Sequence, residues 1–229
     1  MKRIHNPERL SQCILHTAVL AFIVTGCAAG RDVIDVRVPN MPSNPPQGNP
    51  VTISRVSDRR VFEIKPTTHS TPSLKNKKEI GDKAITVRAI ARKSGGFGNE
   101  LGDIVLPEGR SVELLVEEAI ARAFRESGYR VVTKDDPDFP SATPIEVDVE
   151  KFWTWFNPGM WTIRLEFESR IRMKGNIPPL ENGEFVFVEA GHNAGAATKS
   201  AWLETWRRGL EVLVQRTRET LARGKSTQL

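Results

Sequence analysis

The sequence predicts an α+β fold: a small, mostly antiparallel or mixed sheet with two amphipathic helices packed on one face. Three observations lead there. Strand-like alternation recurs between residues 33 and 189, one amphipathic stretch interrupts it at Ser111–Ser127, and a long helical pattern runs from about Ser200 to Ala222. Strands, helix, strands, helix is the order of a layer in which helices cover one face of a sheet.

The first segment is not part of that layer. Lys2, Arg3 and Arg9 outweigh Glu8, an apolar run follows from Ile14 to Val24 broken only by His16 and Thr17, and small residues come next. These are the charged, apolar and cleavage regions of a signal peptide. A run of roughly 11 residues is too short to span a bilayer, which takes about 20. The run closes on Val24-Thr25-Gly26-Cys27, which resembles a bacterial lipobox. The resemblance implies cleavage before Cys27, which then carries diacylglycerol and an N-terminal acyl group. An ordinary secretory signal cut near Ala28 or Ala29 is the alternative. Ala28 is not the aspartate that retains many lipoproteins at the inner membrane, so the expected address is the periplasmic leaflet of the outer membrane.

That reading narrows the chemistry. The chain has two cysteines; Cys13 lies in the leader and Cys27 is the anchor, so no thiol or disulfide remains for the folded part. His5 and His16 also lie in the leader, leaving His69 in a polar loop and His192. A hydrolase triad or a multi-histidine metal site has little to be built from, and no cofactor is expected. The leader accounts for +2 of the formal net charge of +5, leaving +3, which is no nucleic-acid footprint.

The expected domains are a leader at 1–26, a lipidated N-terminus and Pro-rich spacer with a short strand at 27–50, one α+β periplasmic domain at 51–223, and a flexible tail at 224–229. Val33 to Val38 alternates like a strand, while Pro39 to Pro50 is rich in Pro, Asn, Ser and Gly. Strands are expected at Val51–Val56 and Asp58–Phe62, then an exposed loop from Lys65 to Lys83. Its Lys75, Lys77 and Lys78 are able to touch anionic head groups, although a solvated loop is the ordinary meaning of such a run. Ile85, Val87, Ala89 and Ala91 alternate as the next strand, closed by a turn at Ser94–Gly98.

In the helix at Ser111–Ser127, Val112, Leu115, Val116, Ala119, Ile120, Ala123 and Phe124 share one face. Ser111 suits its N-cap and Gly128 its stop. A strand at Tyr129–Val132 precedes the acidic turn Lys134–Asp138, which lacks the ligand spacing of an EF-hand and leaves calcium a minor reading. Ile145, Val147, Val149, Trp153 and Trp155 share odd positions, as do Trp161, Ile163, Leu165, Phe167, Ile171 and Met173, so an antiparallel hairpin turns at Asn157-Pro158-Gly159. A strand at Glu184–Glu189 follows. The Gly/Ala-rich stretch Gly191–Ser200 fails the phosphate-loop pattern, with Asn193 and Thr198 where glycines are required. Trp202, Trp206, Leu210, Leu213, Val214 and Leu221 form the stripe of the last helix.

Odd-position alternation sends Trp153, Trp155 and Trp161 to the core and leaves Phe152, Phe156 and Met160 on the other face or at the hairpin tip. Cross-strand packing beneath the helices is one reading of this cluster. A partly exposed patch that meets a partner or the membrane interface is the other, with Phe152, Phe156 and Met160 as its candidate residues.

The layout resembles the YajG-type family of uncharacterised bacterial lipoproteins. The landmarks are the lipobox, Val36-Arg37-Val38-Pro39, Val56-Ser57-Asp58-Arg59-Arg60, Ile80-Gly81, the Arg92–Gly98 segment, the Ser111 helix ending in Gly128-Tyr129, and the two-tryptophan strand before a Pro-Gly turn. The resemblance implies an envelope lipoprotein and supplies no catalytic residue. The aromatic hairpin and the Lys-rich loop depart from that pattern. The expected function is therefore a noncatalytic, lipid-anchored envelope protein that binds or helps assemble another envelope component. A carrier or sensor of a small apolar ligand or lipid is the alternative, and an envelope hydrolase comes third.

Overall fold

Strand β6 (Thr143–Pro158) organises the molecule, because its 16 residues are long enough to serve two different groups of neighbours on one edge. This is a computed structural model, and it describes residues 30–94, 100–158 and 162–226. The described residues from Arg31 onward belong to one compact unit. Along one edge, β6 pairs antiparallel with β7 (Ile163–Gly175), which pairs antiparallel with β8 (Glu184–Ala194). On the other edge its first half takes β2 (Pro50–Asp58) in parallel and its second half meets β3 (Ala89–Ser94) where Ala91 faces Thr154. Beyond β2 lies β5 (Arg130–Val131); beyond β3 lie β4 (Glu100–Val105) and then β1 (Asp32–Val33). The sheet is open, eight-stranded and mixed. It is not mostly antiparallel: four of its seven pairings are parallel.

Helix α1 (Lys83–Thr86) is a single turn capped by the Asp82 side chain, so β3 begins only at Ala89 and not at the predicted Ile85. Helix α2 (Val112–Glu126) starts where Ser111 Oγ accepts from the Leu114 amide at 3.2 Å. Gly128, with φ of +87°, ends it in the left-handed conformation that glycine adopts without strain. Helix α3 spans Lys199–Ser226, and Thr198 caps it through the Ala201 amide. The apolar stripes of α2 and α3 share one core with Ile145, Val147, Val149, Phe152, Phe156, Leu165, Phe167, Val186 and Val188.

A bulge in β6 decides which aromatic side chains enter that core. The ladder steps from Val149 opposite Ile171 to Lys151 opposite Arg170, so Glu150 is an extra residue without a partner in β7. Inward positions are odd before Glu150 and even after it. Phe152 is completely buried and Phe156 is 9% exposed, both on the helix-covered face, which corrects the placement of these two in an exposed patch. Trp153 is turned to the opposite face instead. Met160 lies outside the described residues.

The opposite face needs a cover because Trp153 points into it. Segment 59–88 supplies one: Leu74, Ala89, Val105 and Trp153 form a second buried cluster, with Phe62, Ile80, Ile85 and Trp155 packed on it. Phe62 meets Trp153 edge-on at 5.7 Å, and Trp153 Nε1 donates to the His69 carbonyl at 3.3 Å. The Lys65–Lys83 stretch is therefore folded over the sheet through Leu74 and Ile80, with Lys65, Lys75, Lys78 and Lys83 among its exposed residues, and not a loop free in solvent.

The Pro-rich stretch at 39–50 is likewise pinned along the domain. The Asn44 side-chain amide donates to the Val131 carbonyl and accepts from the Val131 amide, each at 2.9 Å, as a neighbouring strand would. Gly48 passes so close to Gly128 that a Cβ would lie 2.2 Å from the Gly128 carbonyl oxygen.

Candidate functional site

Three strands end the sheet, and they are protected unequally. β1 and β5 are two residues long, and Asn44 occupies the edge of β5. β8 is eleven residues long and, among the described residues, pairs only with β7. A long strand edge with unpaired amides and carbonyls is a template for another strand.

The side chains of β8 sharpen that contrast. In Glu184-Phe185-Val186-Phe187-Val188, period-two alternation buries both valines beneath α3, so both phenylalanines must face away from it. Phe185 and Phe187 stack with centroids 5.8 Å apart. The Arg170 guanidinium lies 4.7 Å from one ring and 5.4 Å from the other, and Arg172 lies 5.7 Å from Phe185. Glu150, the bulge residue, fixes Arg170 at 2.9 Å. Phe187 still exposes 58% of its surface. A cleft of about 500 Å³ borders these rings, walled on the helix side by Val212, Arg216 and Thr220. The site offers aromatic faces, guanidinium planes and backbone hydrogen-bonding groups along one strand edge.

A second feature is an apolar groove of about 550 Å³ between α2 and the β2–β5 edge, lined by Met41, Ile53, Leu114, Ala121, Val131 and Phe139 among others. Glu117 and Arg125 sit on the same helical stripe. Burial, with help from Glu118, pushes the Glu117 carboxyl above the usual carboxylate range, and burial pushes the Arg125 guanidinium down. Both shifts mark a lining that disfavours charge.

The remaining residues singled out from the sequence are engaged structurally or lie outside the described residues. Cys27 is among the latter. Thr205 Oγ1 donates to the Ala201 carbonyl at 2.9 Å, so His192 Nδ1 donates to Thr205 at 3.2 Å. Burial and the nearby Arg208 hold the imidazole below its ordinary range, which keeps it neutral at pH 7. In the acidic turn, Arg130 bonds Asp138 and lies 3.9 Å from Asp136. Among the described residues no three His, Cys, Asp or Glu side chains gather in a metal-binding set. Residues Gly191–Ala194 continue β8 rather than forming a phosphate loop.

No family model matches the chain, and no curated protein matches it. Among solved structures it is similar to a crystal structure of protein XCC0632 from Xanthomonas campestris, of family model DUF330. The sequence identity is 14%, 86% of this chain and 98% of that chain are covered, and the TM-score is 0.45. It is also similar to a crystal structure of an uncharacterized protein, at 6% identity, with 87% of this chain and 98% of that chain covered and a TM-score of 0.34. Sequence reasoning overlooked Phe185 and Phe187, although two phenylalanines interleaved with two valines already require one pair to face away from the core.

Proposed function

We propose that the protein is a noncatalytic, lipid-anchored envelope protein, held through Cys27 at the periplasmic leaflet of the outer membrane, that binds another envelope component along the β8 edge. The observation that carries the binding role is this unpaired edge with its exposed Phe187. The lipobox at Val24–Cys27 and the order of landmarks shared with YajG-type lipoproteins support the address. A photo-crosslinking amino acid at Phe187, introduced in intact cells, should trap a defined envelope protein. The same probe at Gln215, on the outer side of α3, should not. Equal adducts at both positions, or none at Phe187, would overturn the binding role. Phe187→Ser should remove the interaction at a stability cost of about 1 kcal/mol, the scale of its stacking on Phe185 and its contact with Arg170.

The groove beside α2 favours a second reading, carriage or sensing of a small apolar ligand or lipid. Its volume and its apolar lining suit such a guest. Native mass spectrometry of the protein as purified should then show a retained small molecule that is lost in Ala121→Trp, which fills the groove. The bare protein mass alone counts against this reading.

A further inference from the structure

The point at which the chain enters the folded domain carries an unbalanced positive surface. Arg31 is the first residue of the compact unit, and its guanidinium bonds Glu79 and, at 3.2 Å, Asp103. Asp103 is 2% exposed and also accepts from the Lys75 amide at 2.8 Å. The start of the domain is thus fastened to the lysine-rich 75–83 segment that folds over β4.

Every carboxylate in this corner that pairs does so with a cation other than the exposed lysines. Arg31 holds Glu79 and Asp103, Lys93 holds Asp32 at 2.8 Å, and Lys77 and Arg92 hold Glu100. Hydrogen bonding to Arg31 keeps the Glu79 carboxyl below its ordinary range, as expected of a committed anion. Asp82 caps the Ala84 amide at 2.9 Å. Lys75, Lys78 and Lys83 are exposed, and among the described residues no carboxylate lies within ion-pair reach of them. Lys75 Nζ reaches only the Leu101 carbonyl, at 3.1 Å. Val33, in the neighbouring edge strand, is 56% exposed.

We infer that the Lys75–Lys83 segment, with Lys75, Lys78 and Lys83, is a membrane-facing surface that binds anionic lipid head groups. The inference rests on the reading of Cys27 as the anchor. Three residues separate Cys27 from Arg31, so an extended chain spans at most roughly 14 Å between them. That is an upper bound of under two Debye lengths of about 8 Å at physiological salt, so the attraction acts once this corner settles toward the surface. The tether is too short to lift this corner clear of the head groups. Three lysines without acidic partners meet the negative surface there, and the β8 edge belongs to a different border of the sheet, left for a protein partner.

Lysine acetylation rates, read by mass spectrometry on the full-length mature protein in vesicles, test the surface. The vesicles are phosphatidylcholine alone or phosphatidylcholine mixed with phosphatidylglycerol. Lys75, Lys78 and Lys83 should react about fivefold more slowly on the anionic vesicles, the factor expected for one lysine near such a surface, and high salt should restore them. Lys134 and Lys174 should react equally on both. Equal rates for the three lysines on both vesicles overturn the surface. The intact mass separates this failure from failure of the anchor. If Cys27 carries lipid while the three lysines stay reactive, the surface alone is wrong. If Cys27 is unmodified, the anchor is wrong, and salt-sensitive protection of the same three lysines by added anionic vesicles then upholds the surface independently.

Discussion

Replacing Arg60 by methionine is expected to destabilise the protein by about 3–5 kcal/mol, the range for removing one partner of a buried ion pair. The cause lies in the forked sheet. On one edge of β6, β2 ends at Asp58 and β3 begins at Ala89, so between them β6 has no strand beside it. The carbonyl of Phe152 falls in that gap. Arg60 fills the fork with a side chain that is fully buried. Its Nη1 donates to the Ala89 carbonyl at 2.6 Å and the Phe152 carbonyl at 3.1 Å, its Nη2 donates to the Thr86 carbonyl at 2.8 Å, and Asp58 takes the remaining face through bonds of 2.7 and 2.8 Å. Methionine keeps the apolar stem of arginine without its donors, leaving the three carbonyls without Arg60 and the Asp58 carboxylate with only the residue-60 amide, at 3.1 Å, in a buried place. Arg59 is the internal comparison. It is exposed and reaches Asp148 at only 3.5 Å, so Arg59→Met should shift stability by less than about 1 kcal/mol. Urea denaturation of both variants measures the difference. Equal midpoints would show that the fork does not depend on its arginine.

The fork also explains what was legible in the sequence. Elements whose pattern is local were readable: Ser111 and Gly128 bracket α2, the two halves of the β6–β7 hairpin alternate, and α3 carries a long apolar stripe. Asp58-Arg59-Arg60-Val61-Phe62 reads as a strand because its residue types suit one, yet β2 stops at Asp58 and Arg60 turns inward to serve carbonyls far away in sequence. Nothing within that pentapeptide shows the gap it fills. The Pro-rich 39–50 stretch looks like a spacer for the same reason: Asn44 is bound to Val131, and a contact 87 residues distant leaves no local pattern. For the candidate site the legible part was the type of side chain. An aromatic surface was expected, but at Phe152, Phe156 and Met160 rather than at Phe185 and Phe187. The address suggested by Cys27 depends on chemistry at a short motif and not on the fold.

Trp153→Ala provides the companion large effect, about 3–5 kcal/mol for truncating a fully buried tryptophan, and where the damage falls distinguishes two accounts of β6. Uninterrupted alternation places Trp153 against the helices, together with Val147 and Val149. The bulge at Glu150 places it under segment 59–88 instead, against Phe62, Leu74 and Val105. Truncation should therefore loosen the cover: amide hydrogen exchange should rise across residues 62–85, where the Trp153 Nε1 bond to His69 and the edge contact with Phe62 are lost. Exchange in α3 should remain close to wild type, because its Trp202 and Trp206 pack in the other core. Phe152→Ala should show the reverse pattern, since its ring meets Phe167 at 4.9 Å on the helix side. If Trp153→Ala instead loosened α3 and spared the cover, the parity change at Glu150 would be wrong. A single unpaired residue in one strand thus decides which of two adjacent aromatic side chains stabilises the helices and which holds down the lysine-bearing segment.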